Sequence, residues 1–394
     1  MPRLDQQRPR QHASQGIASL KVLHIIDHLG IGGAQSFLYD LVRAQQKRGR
    51  FFPAICCLTE RTGLSVKLEE ADVPLWHLSA GRTQLMKIGL LIPRLWRLLK
   101  QENPSVVHTH LFASGVFGRL AASFRDIPVV IHEQCNESAS ASWFVKQVDH
   151  FLAQRAAAIL CVSQSTAEFN RIDKGVPARK IHVIPNGIDP ERLAPDPSLP
   201  AEKIKRELGV PKDLLLVTGV GRFVRQKRFD VFLRIASIVW QARQDVAFLI
   251  AGDGPERAPL EAEAERMGFR GQLRFLGNRD DINLILSVTD VLLLTSDFEG
   301  FPLTLLEAMG MGRPVVATDV DGAHEVLGHT SAGMLYPAGD ALRGAQAVLA
   351  LLSNPELRKT IGSAARDKVL TCYEIGGTAS KIEEIYERIT EDIS

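Results

Sequence analysis

The feature that most constrains this chain is an alternation, repeated twice, of short apolar runs with segments of helical length and period. From Lys21 the runs are KVLHIID, FPAICCL, PLWHL, SVVHTH, PVVIH and AAILCVS, with helices predicted over about Gly33–Lys47 and Lys87–Gln101. After a Pro-rich passage from Pro185 to Pro200 the pattern restarts with LLLVTGVG, a helix over about Phe229–Arg243, then VAFLIAG, LRFLG, VLLLTS, PVVAT and GMLYP. Strands alternating with helices predict a parallel sheet covered on both faces, and continuous apolar strands such as Val291–Leu294 suit burial on both sides. The expected fold class is α/β, two doubly wound Rossmann-like domains whose strand carboxyl ends face a cleft, so function is sought in the loops after strands.

Length and charge agree with this. A chain of 394 residues is too long for one core. With Lys and Arg at 47 against Asp and Glu at 45, it lacks the basic excess of a nucleic-acid binder. No apolar run approaches the roughly 18 to 20 residues of a membrane span. The five cysteines show no paired metal spacing, which fits a reducing cytoplasm. The expected layout is a polar tail over 1–18, a first domain over 19–190, a linker over 191–204, a second domain over 205–372 and a terminal helix over 373–394 that crosses back.

Glycine loops narrow the chemistry. LGIGGAQ follows a strand and opens a helix, so Gly32 and Gly33 allow backbone N–H groups close to an anion, but Gln35 breaks the dinucleotide fingerprint. TGVGRFVRQK carries Val224 where that fingerprint has glycine, and no phosphate loop of the GxxxxGK type occurs. A bound phosphate must then be met by side-chain cations and helix ends. Arg222 and Lys227, just past the strand Leu214–Val220, are suited to neutralise a diphosphate leaving group. Some seventy residues on, SDFEGFPLTLLEAM sets Glu299 in a loop and Glu307 in the second turn of a helix that starts at Pro302. A carboxylate accepts paired hydrogen bonds from a ribose diol, and the N–H groups near Phe301–Thr304 present a positive helix end.

GRFVRQK followed by the E-x7-E of EGFPLTLLE resembles the sugar-nucleotide domain of the retaining glycosyltransferases of family 4, which have the GT-B fold. GGAQ, VVHTH, His132, CVSQST, IPNGID, AGDGP, FLG and DVDGAHE stand at matching relative places. The resemblance implies that Arg222 and Lys227 contact the donor diphosphate, Glu307 the ribose and Glu299 the donor sugar. Gly300, Phe301, Pro302 and Leu303 then lie at the nucleotide sugar, as does Gly33, while Gly277 and Asn278 meet the base through backbone. It places His132 in the cleft near the acceptor or reacting sugar, with Glu133 a second polar contact, and implies retention without a protein nucleophile. His108 and His110 read as structural.

The implied function is transfer of a hexose from a nucleotide sugar, UDP- or GDP-linked, to a saccharide or lipid-linked saccharide, in surface polysaccharide or glycoconjugate synthesis. No cofactor is required, no metal ligand is assigned, a divalent ion on the diphosphate stays open, and nucleic acid is no partner. LLIPRLWRLLKQ sets Leu91, Ile92, Leu95, Trp96, Leu98 and Leu99 beside Arg94, Arg97 and Lys100, a pattern that fits either packing on its own sheet or contact with an anionic leaflet. The location expected is cytoplasmic, extending to the inner membrane face. The rivals are another GT-B enzyme such as an epimerase or phosphorylase, a silent sugar-nucleotide binder, and, ranked last, a dinucleotide oxidoreductase.

Overall fold

The computed structural model describes residues 20–78, 84–134, 143–193, 199–328 and 330–392. The chain forms two compact units, one of residues 1–187 with 375–394 and the other of residues 188–374. The expected tail over 1–18, Cys135 and most of HEQCNES lie outside the described residues.

In the first unit the strands are β1 (Leu20–Ile26), β2 (Phe51–Cys57), β3 (Leu75–His77), β4 (Val106–His110), β5 (Val129–Glu133), β6 (Ala158–Cys161) and β7 (Ile181–Val183). All neighbours pair in parallel in the order β3-β2-β1-β4-β5-β6-β7. β7 is three residues long, too short to stand out as an apolar run. The helix Gly33–Arg48 covers one face, with Phe37, Leu38, Leu41 and Val42 buried. The helix Gln84–Glu102 buries Leu91, Leu95, Leu98 and Leu99 in the core beside Leu23, Ile25 and Val107. The apolar stripe that fitted a leaflet is therefore occupied by its own sheet, leaving Trp96 and Leu90 as that stretch's exposed large apolar side chains.

The second unit has β8 (Leu215–Val220), β9 (Val246–Ala251), β10 (Leu273–Gly277), β11 (Val291–Leu294), β12 (Val315–Thr318) and β13 (Met334–Tyr336), parallel in the order β10-β9-β8-β11-β12-β13. Its core gathers Phe232, Ile235 and Val239 of the helix Phe229–Ala242 on Val217, Phe248 and Ile250. The boundary differs from the expected linker. The units divide at Gly187 and Ile188, and Ala201–Glu207 is a helix whose Ile204 packs with Leu216 and Leu249. Pro190 opens the helix Pro190–Leu193 and Pro200 precedes the helix Ala201–Glu207, both within the second unit.

In each sheet the order reverses once, between β1 and β4 and between β8 and β11. Helices leave in opposite directions on either side of such a point, opening a crevice at the strand carboxyl ends. Arg222 and Lys227 follow β8 and Glu299 follows β11, so the fold delivers them to one switch point.

Candidate functional site

The loop after β8 and the loop after β11 are joined by several bonds. Lys227 Nζ donates to Glu299 Oε1 at 2.6 Å, and Ser296 Oγ donates to the same oxygen at 2.6 Å. Backbone bonds frame this pair: Asp297 N–H donates to Gln226 O at 2.9 Å, and Thr295 Oγ1 donates to Lys227 O at 2.8 Å. Arg228 adds an ion pair to Asp297 at 2.8 Å. With the Lys227 and Glu299 side chains 19% and 7% exposed, their charges meet in a partly dehydrated pocket rim, where electrostatics outweigh those of a solvated surface pair. Arg222 is exposed on the same loop as Lys227.

Glycines in two motifs explain how these loops come so close. Gly252 of AGDGP sits at φ +141°, and a Cβ there would enter the envelope of Gly221 O, so the segment after β9 cradles the GRF turn. Phe223 N–H donates to Asp253 O at 2.9 Å across the same contact. Gly322 of DVDGAHE, in the helix Asp321–Leu327, brings its N–H to 3.1 Å from Glu299 O. A Cβ on it would lie 2.6 Å from both Glu299 O and Gly300 O.

The helix Leu303–Gly310 begins at Pro302 with no side-chain cap. The Phe301 ring is buried edge-on to Tyr373, 5.5 Å between centroids, and Leu303 is buried as well. Their side chains are therefore core, and the groups left open at this helix start are backbone N–H donors. Glu307 lies one turn on, its side chain 14% exposed, 3.5 Å from Arg192 Nη2. Arg192 and Ser296 are neighbours of the candidate residues that sequence reading misses, Arg192 falling within the expected linker. Gly277 ends β10 at φ +69° and accepts from Gly252 N–H at 2.8 Å, placing Asn278 in the loop just beyond.

In the first unit the residues divide differently. Gly33 opens its helix after Gly32, and Gln35 folds back to donate to His28 O at 3.3 Å. Asp27, ending the first apolar run, accepts from Ala113 N–H at 3.1 Å and Ser114 N–H at 2.5 Å, tying the loop after β1 to the helix after β4. Glu133 is held by Lys174 Nζ at 2.8 Å, inside a buried network with Asp149 and Arg119. That pairing makes Glu133 part of the scaffold.

His132 does not stand alone. Register pairs His24 with His108 across β1 and β4, and His110 with His132 across β4 and β5. Strand alternation puts all four on one face, under the helices Gly33–Arg48 and Ile375–Glu391. Each ring is buried. His24 Nε2–H donates to Gln45 Oε1 at 2.9 Å, which leaves His24 Nδ1 to accept from His110 Nε2–H at 3.0 Å. His108 Nδ1 shares a 2.5 Å bond with the Tyr386 hydroxyl, and His132 Nε2–H donates to Asn186 Oδ1 at 3.1 Å. Burial pushes His24 and His132 down to about 4, and burial and then the neighbouring imidazoles hold His108 and His110 well below the usual range. The cluster is neutral at physiological pH.

Ring nitrogens of His24, His108 and His110 lie within 4.8 Å of one another, the arrangement that most nearly offers a metal ligand set among the described residues. Two of those residues already bond each other, and the group includes no carboxylate. A dication there would place uncompensated charge in the interior at a cost of several kcal/mol. The chemistry favours a hydrogen-bonded neutral cluster.

Residues 31–192 match the family model described as Glycosyltransferase Family 4, and residues 200–368 match that described as Glycosyl transferases group 1. The chain belongs to the family 4 glycosyltransferases of the GT-B fold. This glycosyltransferase is 29% identical over 302 residues to the UDP-Gal:alpha-D-GlcNAc-diphosphoundecaprenol alpha-1,3-galactosyltransferase of Escherichia coli, covering 74% of this chain and 77% of the relative. It is 26% identical to the lipopolysaccharide core biosynthesis glycosyltransferase LpsD of Rhizobium meliloti, over 94% of this chain and 98% of that one. In fold it is similar to Anabaena HepE, solved in complex with UDP and glucose, with a TM-score of 0.83, 23% identity and coverage of 94% and 100%. The glycosyltransferase is of the hexosyl-transferring type. Among its described residues no helix is long and apolar enough to cross a membrane.

Proposed function

We propose that the protein is a retaining hexosyltransferase that takes its sugar from a UDP-sugar and passes it to a lipid-linked saccharide at the cytoplasmic face of the membrane, in surface polysaccharide or glycoconjugate synthesis. The observation that carries the reading is the Lys227–Glu299 pair, held at the β8/β11 switch point with Arg222 exposed on the same loop as Lys227. A diphosphate arriving there displaces Glu299 from Lys227 and takes up both cations, while the freed carboxylate turns to the donor sugar hydroxyls. Leaving-group charge grows in the transition state, so fixed cations at that position lower the barrier more than they tighten binding.

In this reading Glu307 holds the ribose, and the N–H groups at Gly300–Leu303 face the donor with Gly33. The backbone at Gly277 and Asn278 meets the base, and His132 serves the acceptor or reacting sugar. The departing diphosphate oxygen takes the acceptor proton on the same face, which requires no protein nucleophile. The names of the Escherichia coli and Rhizobium relatives support a UDP donor and a lipid-linked or lipopolysaccharide acceptor.

Thermal unfolding with UDP, GDP, ADP, TDP and NAD tests the donor class. A nucleotide at about 100 times its Kd adds roughly 2.7 kcal/mol. Selective stabilisation by UDP supports the proposal, stabilisation by GDP alone changes the donor, and stabilisation by NAD alone overturns it. UDP release with and without EDTA decides whether a divalent ion assists.

A further inference from the structure

We propose that Asn186 is a positioning residue that fixes the tautomer of His132, so that its Nδ1 lone pair is the nitrogen offered to the acceptor or reacting sugar. The inference rests on the reading of His132 given above.

Three observations carry it. First, His132 Nε2–H has a partner, Asn186 Oδ1 at 3.1 Å, whereas its Nδ1 is buried with no hydrogen-bond partner in the described structure. A proton on Nδ1 would leave an unsatisfied buried donor there and set the Nε2 lone pair against Asn186 Oδ1. Second, Asn186 is itself immobilised, with its side chain buried. Before it, Ile184 N–H donates to Cys161 O at 2.9 Å and Pro185 O accepts from Thr378 Oγ1 at 3.3 Å. After it, Gly187 packs so tightly on the backbone of Ile375 that a Cβ would lie 2.8 Å from the Cα. Third, the surroundings of His132 are neutral: Phe37 from the covering helix at 4.7 Å, and His108 and His110 from β4 at 5.6 and 5.5 Å between centroids. His24 of β1 also interacts with His132, Tyr386 of the terminal helix bonds His108, and Glu383 of that helix is paired with Arg48.

A neutral imidazole with its lone pair at a fixed nitrogen accepts a hydrogen bond from a sugar hydroxyl, and the other tautomer donates one instead. Long-range proton–nitrogen correlation spectra of protein carrying 15N-histidine report the tautomer, with His132 assigned through His132→Gln. Turnover is read as UDP release from UDP-galactose with undecaprenyl-diphosphate-linked N-acetylglucosamine, and UDP-glucose and UDP-N-acetylglucosamine serve as further donor probes. Wild type should show protonated Nε2. Asn186→Ala should mix the tautomers and lower kcat roughly tenfold or more, with donor KM within about twofold. Asn186→Asp, which keeps an acceptor at Nε2, should retain the tautomer and move the acid limb of the kcat profile to higher pH; it also serves if the alanine variant folds poorly. An unchanged tautomer or unchanged kcat in Asn186→Ala, alongside a strong loss in His132→Gln, overturns the role of Asn186 alone. Wild-type turnover in His132→Gln overturns the reading of His132 and this inference with it.

Discussion

Acidification should unfold the first unit well above the pH at which carboxylates titrate, because its core holds four neutral histidines. His24 and His132 sit at about 4 in the folded chain against an ordinary 6.5. The unfolded chain therefore binds more protons between those values, and stability is complete above about pH 6.5 and lost as the pH falls toward 4. At pH 5.0 each of the two contributes a loss of about 2 kcal/mol, or about 4 kcal/mol together, from the linkage relation. His108 and His110 act in the same direction. Glu383, raised by burial, acts in the opposite sense, its stability being lost as pH rises, so wild type alone does not isolate the histidines. Asp149, held low despite its burial by Lys174 and Arg119, loses its stabilisation only below the ordinary carboxylate range. The assay is urea unfolding at pH 7.5 and 5.0, followed by the fluorescence of Trp76, Trp96 and Trp143 in a Trp240→Phe background. His132→Gln should shrink the pH-dependent loss by about 2 kcal/mol, and His24→Gln by a similar amount. Identical pH dependence in wild type and both variants would refute the reasoning, since it would mean that these rings titrate alike in the folded and unfolded chain.

Other predictions concern the second unit and the scaffold. Lys227→Met should lower kcat by roughly a hundredfold or more, with a smaller change in UDP affinity by calorimetry, because leaving-group charge is greatest in the transition state; equal losses in both would mean that Lys227 serves binding only. Gly322→Ala should push on Glu299 O and Gly300 O, cost about 1–3 kcal/mol of stability and cut turnover, although residue 322 carries no side chain to touch a ligand. Wild-type kinetics in that variant would separate the helix Asp321–Leu327 from the site. Asp149→Asn leaves Arg119 and Lys174 short of a buried counter-charge and should cost about 3 kcal/mol or more in urea unfolding. Flotation with anionic vesicles should show that any lipid association survives Leu95→Ala, since Leu95 is buried in the core of its own unit.

Much of the site was legible because its chemistry is local in sequence. Lys227 and Glu299 follow strands whose apolar runs are unmistakable, and both strands flank the reversal of sheet order. The glycines of AGDGP and DVDGAHE were visible as motif letters, but their purpose is a close approach between segments far apart in the chain, which no local pattern reports. The same limit hid Arg192, whose partner Glu307 is more than a hundred residues away, and made a proline-rich stretch look like a linker when its helices pack into the second unit. His108 and His110 carried a faint signal, since alternate strand positions share a face. Nothing in that spacing announced His24 or Asn186.

The sequence by itself determined the class of fold, the two-part organisation and the loops after strands that hold the candidate site, because hydrophobic period and backbone-permissive residues act over a few positions at a time. Tertiary structure alone decided that four histidines from three strands share one buried face, that Glu133 is tied into a buried ion network, and that the apolar stripe of Gln84–Glu102 is covered by its own sheet. Those outcomes depend on strand register and on which surface each helix covers, and both are settled only when the whole core packs at once.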